Sequence, residues 1–407
     1  MQNARVIIIG ASHAGAQLCA SLRQEGWAGE IILIGDEPML PYHRPPLSKT
    51  FLAGSAGLDD LLIRAPDFYK QQRITVQQGK VVAIDRVAHV ITLADGSSMR
   101  YDKLALCLGA RPRRLPVRGA DLPGVHLLRN AADVSAIRTQ LGHTRRAVII
   151  GAGFIGLEAA ASLRHLGIAV TVMETADRVL QRVTAPAVSA FYARVHREEG
   201  VDLRTGVSIA ALTGNTRVRG VQLADGEVIP ADLVIVGVGV EPNVALAVDA
   251  GLVVDNGIVI DAHGRTSDED IVAAGDCASH PCLRYEGRLR LESVPNAGEH
   301  AKVAAATLCG KEKSISALPW FWSDQYDLKL QIAGLHGGHD DVVLRGDPGK
   351  GRSFACFYLR AGRLIAADCV NRPQEFLFSK SVITGQREIR TDRLSDESLS
   401  LSELGIC

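Results

Sequence analysis

The stretch RVIIIGASHAGAQLCASLRQEG at residues 5–26 aligns without gaps on RAVIIGAGFIGLEAAASLRHLG at 146–167. Gly10 falls on Gly151, Gly15 on Gly156, Gly26 on Gly167, and Ala20-Ser21-Leu22-Arg23 on Ala161-Ser162-Leu163-Arg164. Each copy is a short β-branched run, a glycine turn, then apolar residues at helical spacing, Ile155, Ala159, Leu163 and Leu166 in the second. Each continues into another apolar run that ends in an acid: Ile31–Ile34 then Asp36, and Val170–Met173 then Glu174. Strand, helix and strand therefore occur twice, about 140 residues apart. This predicts an α/β chain with two Rossmann-like dinucleotide-binding folds.

A lone glycine-rich turn is weak evidence for a ligand, because glycines also serve ordinary tight turns. Two copies, each between strand and helix signals and each followed by an acid, are strong evidence. Glycine lets the backbone approach a pyrophosphate, and the helix N-terminus turns free N–H groups and a positive dipole toward it. The acid at the end of the next strand then takes the ribose hydroxyls. The second copy is a full Gly151-x-Gly153-x-x-Gly156, whereas the first has Ser12 at the middle position. The first copy also carries three extra residues before its acid. Two different dinucleotides are expected. Glu174 would bond a ribose 2′-hydroxyl and repel a 2′-phosphate, and Thr175 rather than a base follows it. That favours NADH over NADPH, with Arg178 close enough in sequence to blunt the preference.

Other classes are disfavoured by composition. The 407 residues include 45 Lys plus Arg against 45 Asp plus Glu, a net charge of zero. A protein coating nucleic acid needs a basic excess, and a disordered one needs high net charge. A zero sum leaves local basic patches open. No apolar run approaches the roughly 18 residues of a membrane helix. Val6–Ile9 is too short for a signal-peptide core. The eight cysteines (Cys19, Cys107, Cys277, Cys282, Cys309, Cys356, Cys369, Cys407) form no CxxC pair. Reduced thiols in the cytoplasm are expected, most of them small buried filler.

Between and after the copies, residues 80–109 and 218–240 read as short strands with Asp-Gly turns at Asp95-Gly96 and Asp225-Gly226. Ile271–Asp276 reads as a strand delivering an Asp into a turn, and 297–309 as an Ala-rich helix. From Leu318 the alternating runs Phe354–Leu359 and Leu364–Val370 indicate a separate C-terminal α+β domain.

The ordered motifs VIIIGASHAG, RPPLSK, GAGFIGLE, AGDCA, ESVPNA and PWFWSDQYD resemble those of bacterial FAD-dependent, NADH-using ferredoxin reductases. That family is related to glutathione reductase in fold, and the likeness covers essentially the whole chain. It departs at Cys107-Leu108-Gly109, where the family usually has Ala-Thr-Gly, and in the short tail to Cys407. The resemblance implies an FAD-binding domain at 1–110 and 237–316, an NAD-binding domain at 111–236 and a C-terminal domain at 317–407. It implies FAD contacts from Gly10, Ser12, Ala14, Gly15, Asp36, Lys49, Val81, Arg129, Asp276 and Val294. NADH would take Gly151, Gly153, Gly156 and Glu174, with its nicotinamide against the turn containing Gly239. Lys49 and Glu158 are the implied catalytic pair beside the flavin N5. Trp320 and Trp322 would border the isoalloxazine. A [2Fe-2S] ferredoxin is the implied partner, met by a basic rim with Lys302, Lys329, Arg372 and Lys380 as candidates.

Disulfide reductases of this fold carry CxxxxC shortly after the first acid, but residues 41–49 contain no Cys. Cys277 and Cys282 have that spacing at the wrong place in the chain. His263, His280 and His300 lack ligand spacing, so no metal is expected. Readings left beside the main one are an NADH:rubredoxin reductase, an NADH oxidase, and an interaction protein like apoptosis-inducing factor. Oligomeric state is not written in the sequence.

Overall fold

The run Val6–Ile9 has no polar alternation, and it becomes the strand Arg5–Ile9, buried on both faces as parallel strands are. The computed structural model describes residues 4–405 except Leu283 and Glu286, so Cys407 lies outside the described residues. Two compact units divide the chain. The first comprises Met1–His43, Asp59–Arg111 and Val240–Ala317. The second comprises Arg44–Leu58, Pro112–Gly239 and Leu318–Cys407.

In the first unit Arg5–Ile9 is central to a parallel five-stranded sheet. Glu30–Gly35 and then Ile74–Gln78 lie on one side, Lys103–Leu106 and then Ile271–Ala273 on the other. The helix His13–Glu25 ends where Gly26 takes a left-handed φ of 98° and its N–H closes the last turn. Leu18 and Leu22 of that helix pack with Ala297, Ala301, Ala304 and Ala305 of the helix Val294–Leu308 in one buried cluster. That second helix starts three residues earlier than the alanine run predicts. Ser293 caps it through Asn296 N–H, and Pro295 fits the first turn, so the start signal precedes the alanines.

The second unit repeats the arrangement. Arg146–Ile150 is flanked by Ala169–Met173 and Asp202–Arg204 on one side, and by Leu233–Val236 and Val125–Leu127 on the other. In both copies a three-stranded antiparallel meander precedes the strand that returns beside the glycine strand. The fifth strand follows the glycine strand in the first copy and precedes it in the second. The tail of this unit is an antiparallel sheet in the order Trp320–Gln325, Leu328–Gly334, Arg363–Val370, Phe354–Arg360, Asp341–Arg345, covered by the helix Pro373–Gly385. Tyr358 of that sheet accepts from Ala185 N–H at 2.9 Å and donates to Asp368 at 2.5 Å, tying the sheet to the helix Pro186–Glu198. Among the described residues no helix is long and apolar enough to cross a membrane.

Candidate functional site

The register of the two copies locates the three extra residues of the first. Ile9 pairs with Ile34, and Ile150 with Met173. The next positions are Gly35 and Glu174, so one extra residue lies at the strand end and two in the helix–strand connection. A Cβ at Gly35 would meet Ala11 Cβ at 2.5 Å, which leaves the acid to the next residue, the exposed Asp36. Glu174 instead accepts from Ala152 N–H at 2.7 Å and Ala176 N–H at 2.9 Å. Both acids stand at strand ends beside their glycine turns.

The glycines divide into two kinds. Gly10 has φ 114° and Gly151 φ 106°, and a Cβ there would strike Cys107 O at 2.0 Å or Gly237 O at 2.3 Å. Gly15 and Gly156 would strike the carbonyls of Gly10 and Gly151 at 2.1 and 2.0 Å. These four let the helix start directly on the strand end. At Gly153, by contrast, a Cβ would meet no protein atom within 4 Å. That glycine keeps open the space where a pyrophosphate would meet the helix N-terminus, and Ser12 holds the corresponding place in the first copy. The residues present fit two dinucleotides.

Within the first unit, Gly275 approaches Ala14 and Ala297, so the first glycine turn, the strand leading to Asp276 and the start of the helix at Val294 come together. Arg290 donates to Asp276 O at 3.2 Å. Val81 has its side chain in the buried core, so any ligand contact there belongs to its backbone. Lys49 and Arg129 fall in the second unit, the others expected for FAD in the first.

In the second unit Lys49 Nζ lies 2.7 Å from Glu158 Oε2, with the two side chains only 18% and 3% exposed. The short helix Pro45–Ser48 presents the lysine, and the helix Phe154–His165 the glutamate. Ser48 donates to Glu158 Oε2 at 2.5 Å, Ser323 to Oε1 at 2.6 Å, and Ser162 bonds Ser48 O at 2.7 Å. A buried carboxylate with one cation and two hydroxyl donors has its desolvation offset by geometry.

Sequence reading singled out Trp320 and Trp322, yet alternation along the strand Trp320–Gln325 sends their neighbours to the pair. Phe321 stacks at 4.6 Å on Phe154 of the glycine turn, and Ser323 and Gln325 share that face. Trp320 instead packs on Phe376 and under Lys380. Period-two spacing was the signal that marks Phe321, Ser323 and Gln325.

Arg178 is turned inward. It donates to Thr184 O at 2.8 Å, Ser189 Oγ at 2.5 Å and Gln181 O at 3.0 Å, three of its five N–H donors. It therefore does little to offset the acid at Glu174. Gly239, at φ 96°, is bonded by Arg113 N–H at 2.9 Å and has Arg182 nearby. Of the four bases considered for docking, Arg372 is bound to Glu375 and Glu397, Lys380 covers Trp320, and Lys302 and Lys329 are exposed. Burial pushes the Cys277 thiol up to about 11, and it donates to backbone carbonyls, an inert arrangement.

Two glycine cradles, two strand-end acids and a buried Lys–Glu pair define a two-dinucleotide oxidoreductase. The chain belongs to the pyridine nucleotide-disulphide oxidoreductase family, whose model matches residues 4–301, followed by a reductase C-terminal domain at 320–405. It is similar to putidaredoxin reductase CamA of Pseudomonas putida, 46% identical over 99% of this chain and 97% of that protein. It is also similar to a ferredoxin–NAD(P)(+) reductase of a Sphingomonas species, 46% identical over 93% and 92% of the two chains. The solved covalent complex of putidaredoxin reductase with putidaredoxin superposes with a TM-score of 0.96 at 45% identity, over 99% of this chain and 98% of that one.

Proposed function

We propose that this chain is an FAD-containing, NADH-dependent reductase of a [2Fe-2S] ferredoxin that feeds a cytochrome P450 or a Rieske-type oxygenase. The observation that carries the reading is the pairing of a duplicated dinucleotide cradle with a stretch, residues 41–49, that offers no redox cysteine. Electrons thus pass from cofactor to an external acceptor rather than to an internal disulfide. FAD belongs to residues 1–110 with 237–316, through Gly10, Ser12, Ala14, Gly15, Asp36, Lys49, Val81, Asp276 and Val294, with Arg129 added from outside that stretch. NADH belongs to 111–236, through Gly151, Gly153, Gly156 and Glu174, with Gly239 at its nicotinamide end.

When bound, the flavin accepts hydride from NADH and releases the two electrons singly, which is the cofactor's own chemistry. The chain positions and excludes. Glu174 selects a 2′-hydroxyl over a 2′-phosphate. Glu158 fixes the Lys49 ammonium at one point, and Phe321 packs on Phe154 at the start of the helix that carries Glu158. We place the protein in the cytoplasm, and its seven described cysteines, which form no disulfide, fit a reducing compartment. The test is NADH oxidation with cytochrome c as terminal acceptor, with and without [2Fe-2S] ferredoxins from the same organism. Ferredoxin-dependent stimulation is expected, and its absence across the whole candidate set would sink the reading.

A further inference from the structure

The hydrogen bonds behind Glu158 run in one direction only. Gln325 Oε1 can only accept, so His196 Nε2, 2.8 Å away, must carry the proton and donate to it. The other ring nitrogen, Nδ1, then has a lone pair, which takes the Tyr326 hydroxyl at 3.1 Å. Gln325 Nε2 donates to Ser323 Oγ at 3.2 Å, which leaves the single Ser323 proton for Glu158 Oε1 at 2.6 Å. Tyr326, His196, Gln325 and Ser323 therefore each point a donor toward the carboxylate. His196 and Ser323 are wholly buried, and Gln325 is 2% exposed. A chain of aligned donors in a dry interior polarises from link to link and favours negative charge at its end.

Two further features mark the chain as more than core filler. Burial holds the His196 imidazole down to about 4, so it stays neutral and keeps this tautomer at physiological pH. Tyr326 is the first residue of the two-residue turn between Gln325 and Leu328, and it sits at φ 54°, where Gly or Asn is usual. The hydroxyl and ring of this strained aromatic both reach His196, the ring centroids being 5.1 Å apart.

We infer that Ser323 is the positioning residue of the Lys49–Glu158 pair: the donor chain from Tyr326 ends through it on Glu158 and keeps that carboxylate the anionic anchor of Lys49. The inference rests on the reading that this pair serves hydride transfer. Facing Glu158 are Lys49, Ser48 and Ser323, with the buried Tyr192 also within its electrostatic reach. Without the Ser323 donor, Oε1 loses its bond, and the carboxylate that holds Lys49 is fixed only through Oε2, by Ser48 and Lys49 itself.

Two measurements on the FAD-loaded protein test this. The first is 15N NMR of histidine-labelled protein, with His196 assigned by loss of its signal in His196→Gln. A neutral Nε2–H ring from pH 6 to 8 is expected, and an Nδ1–H or doubly protonated ring overturns the donor chain. The second is stopped-flow reduction of the flavin by NADH. In Ser323→Ala the limiting rate should fall about tenfold while the NADH dissociation constant stays within about twofold, the signature of a lost donor to a charged group. Ser323→Thr, which restores the hydroxyl, should recover most of the rate. An unchanged rate in Ser323→Ala, or a loss not recovered by Thr, overturns the proposal. Ferredoxin is absent from both measurements, so a failure of the partner reading is recorded separately.

Discussion

At the residue scale, the buried ion pair and the strand-end acid make opposite kinds of demand. Glu158 is 3% exposed, so removing only its cation leaves a charge in a dry site. Lys49→Met should destabilise the second unit by about 3 kcal/mol in urea unfolding, and Lys49→Met with Glu158→Gln should recover most of that loss. An additive double variant would show that the two groups do not interact. Glu174 spends its carboxylate on Ala152 and Ala176 N–H groups, and its removal leaves no charge but strands the neutral donor of Ala152, which is wholly buried. Glu174→Ala should therefore cost about 1–3 kcal/mol in urea unfolding and reduce the NADH-over-NADPH ratio of kcat/KM by about tenfold. An unmoved ratio would remove the argument that this acid sets the cofactor. Arg178, close to Glu174 in sequence, is held by Gln181 and Thr184 of its own loop and by Ser189 of the helix that follows, a fact that spacing alone does not carry.

Whole elements explain why the glycine repeat was so readable. In each copy the strand, turn and helix are dictated within about 20 consecutive residues, by a β-branched run, glycines that admit a carbonyl, and helical spacing of small apolar side chains. The glycines make separable predictions. Gly156→Ala places a methyl 2.0 Å from Gly151 O, so it should unfold the second unit at markedly lower urea concentration whether or not NADH is present. Gly153→Ala places its methyl where no protein atom lies within 4 Å. It should leave the urea midpoint in place and weaken NADH binding by about tenfold or more, measured by titration. Equal loss of stability in both variants would mean that Gly153 serves the fold rather than a ligand. The strand Trp320–Gln325 was less readable for a physical reason. Its tryptophans are the bulkiest side chains in the motif, but period two assigns them to the opposite face from Phe321, Ser323 and Gln325.

At the scale of the molecule, the duplicated nucleotide folds and the antiparallel tail were legible because each is built from local signals repeated in order. The polar chain behind Glu158 was not, since it joins Ser48, Glu158, His196 and Ser323, residues far apart in sequence that only the tertiary fold collects. The same burial gives the protein a pH signature. His196 is held down to about 4 and His300 to about 3, chiefly by burial, against about 6.5 for histidine in an unfolded chain. The unfolded state therefore binds more protons below about pH 6.5, and stability falls on acidification through that window. Asp368 acts oppositely. Burial raises its carboxyl from 3.8 to about 7, so the folded state holds an extra proton between those values and loses stability as the pH rises through them. Asp368→Asn keeps an acceptor for Tyr358 and removes the titration. The difference in urea midpoint between this variant and the parent should grow in the variant's favour from pH 5 to pH 7.5 and then level off. Trp320 and Trp322 fluorescence in a Trp27→Phe background follows the second unit, where Asp368 lies. A difference that stays constant across that range would mean that Asp368 is ionised in the folded protein and that the tail sheet tolerates its buried charge.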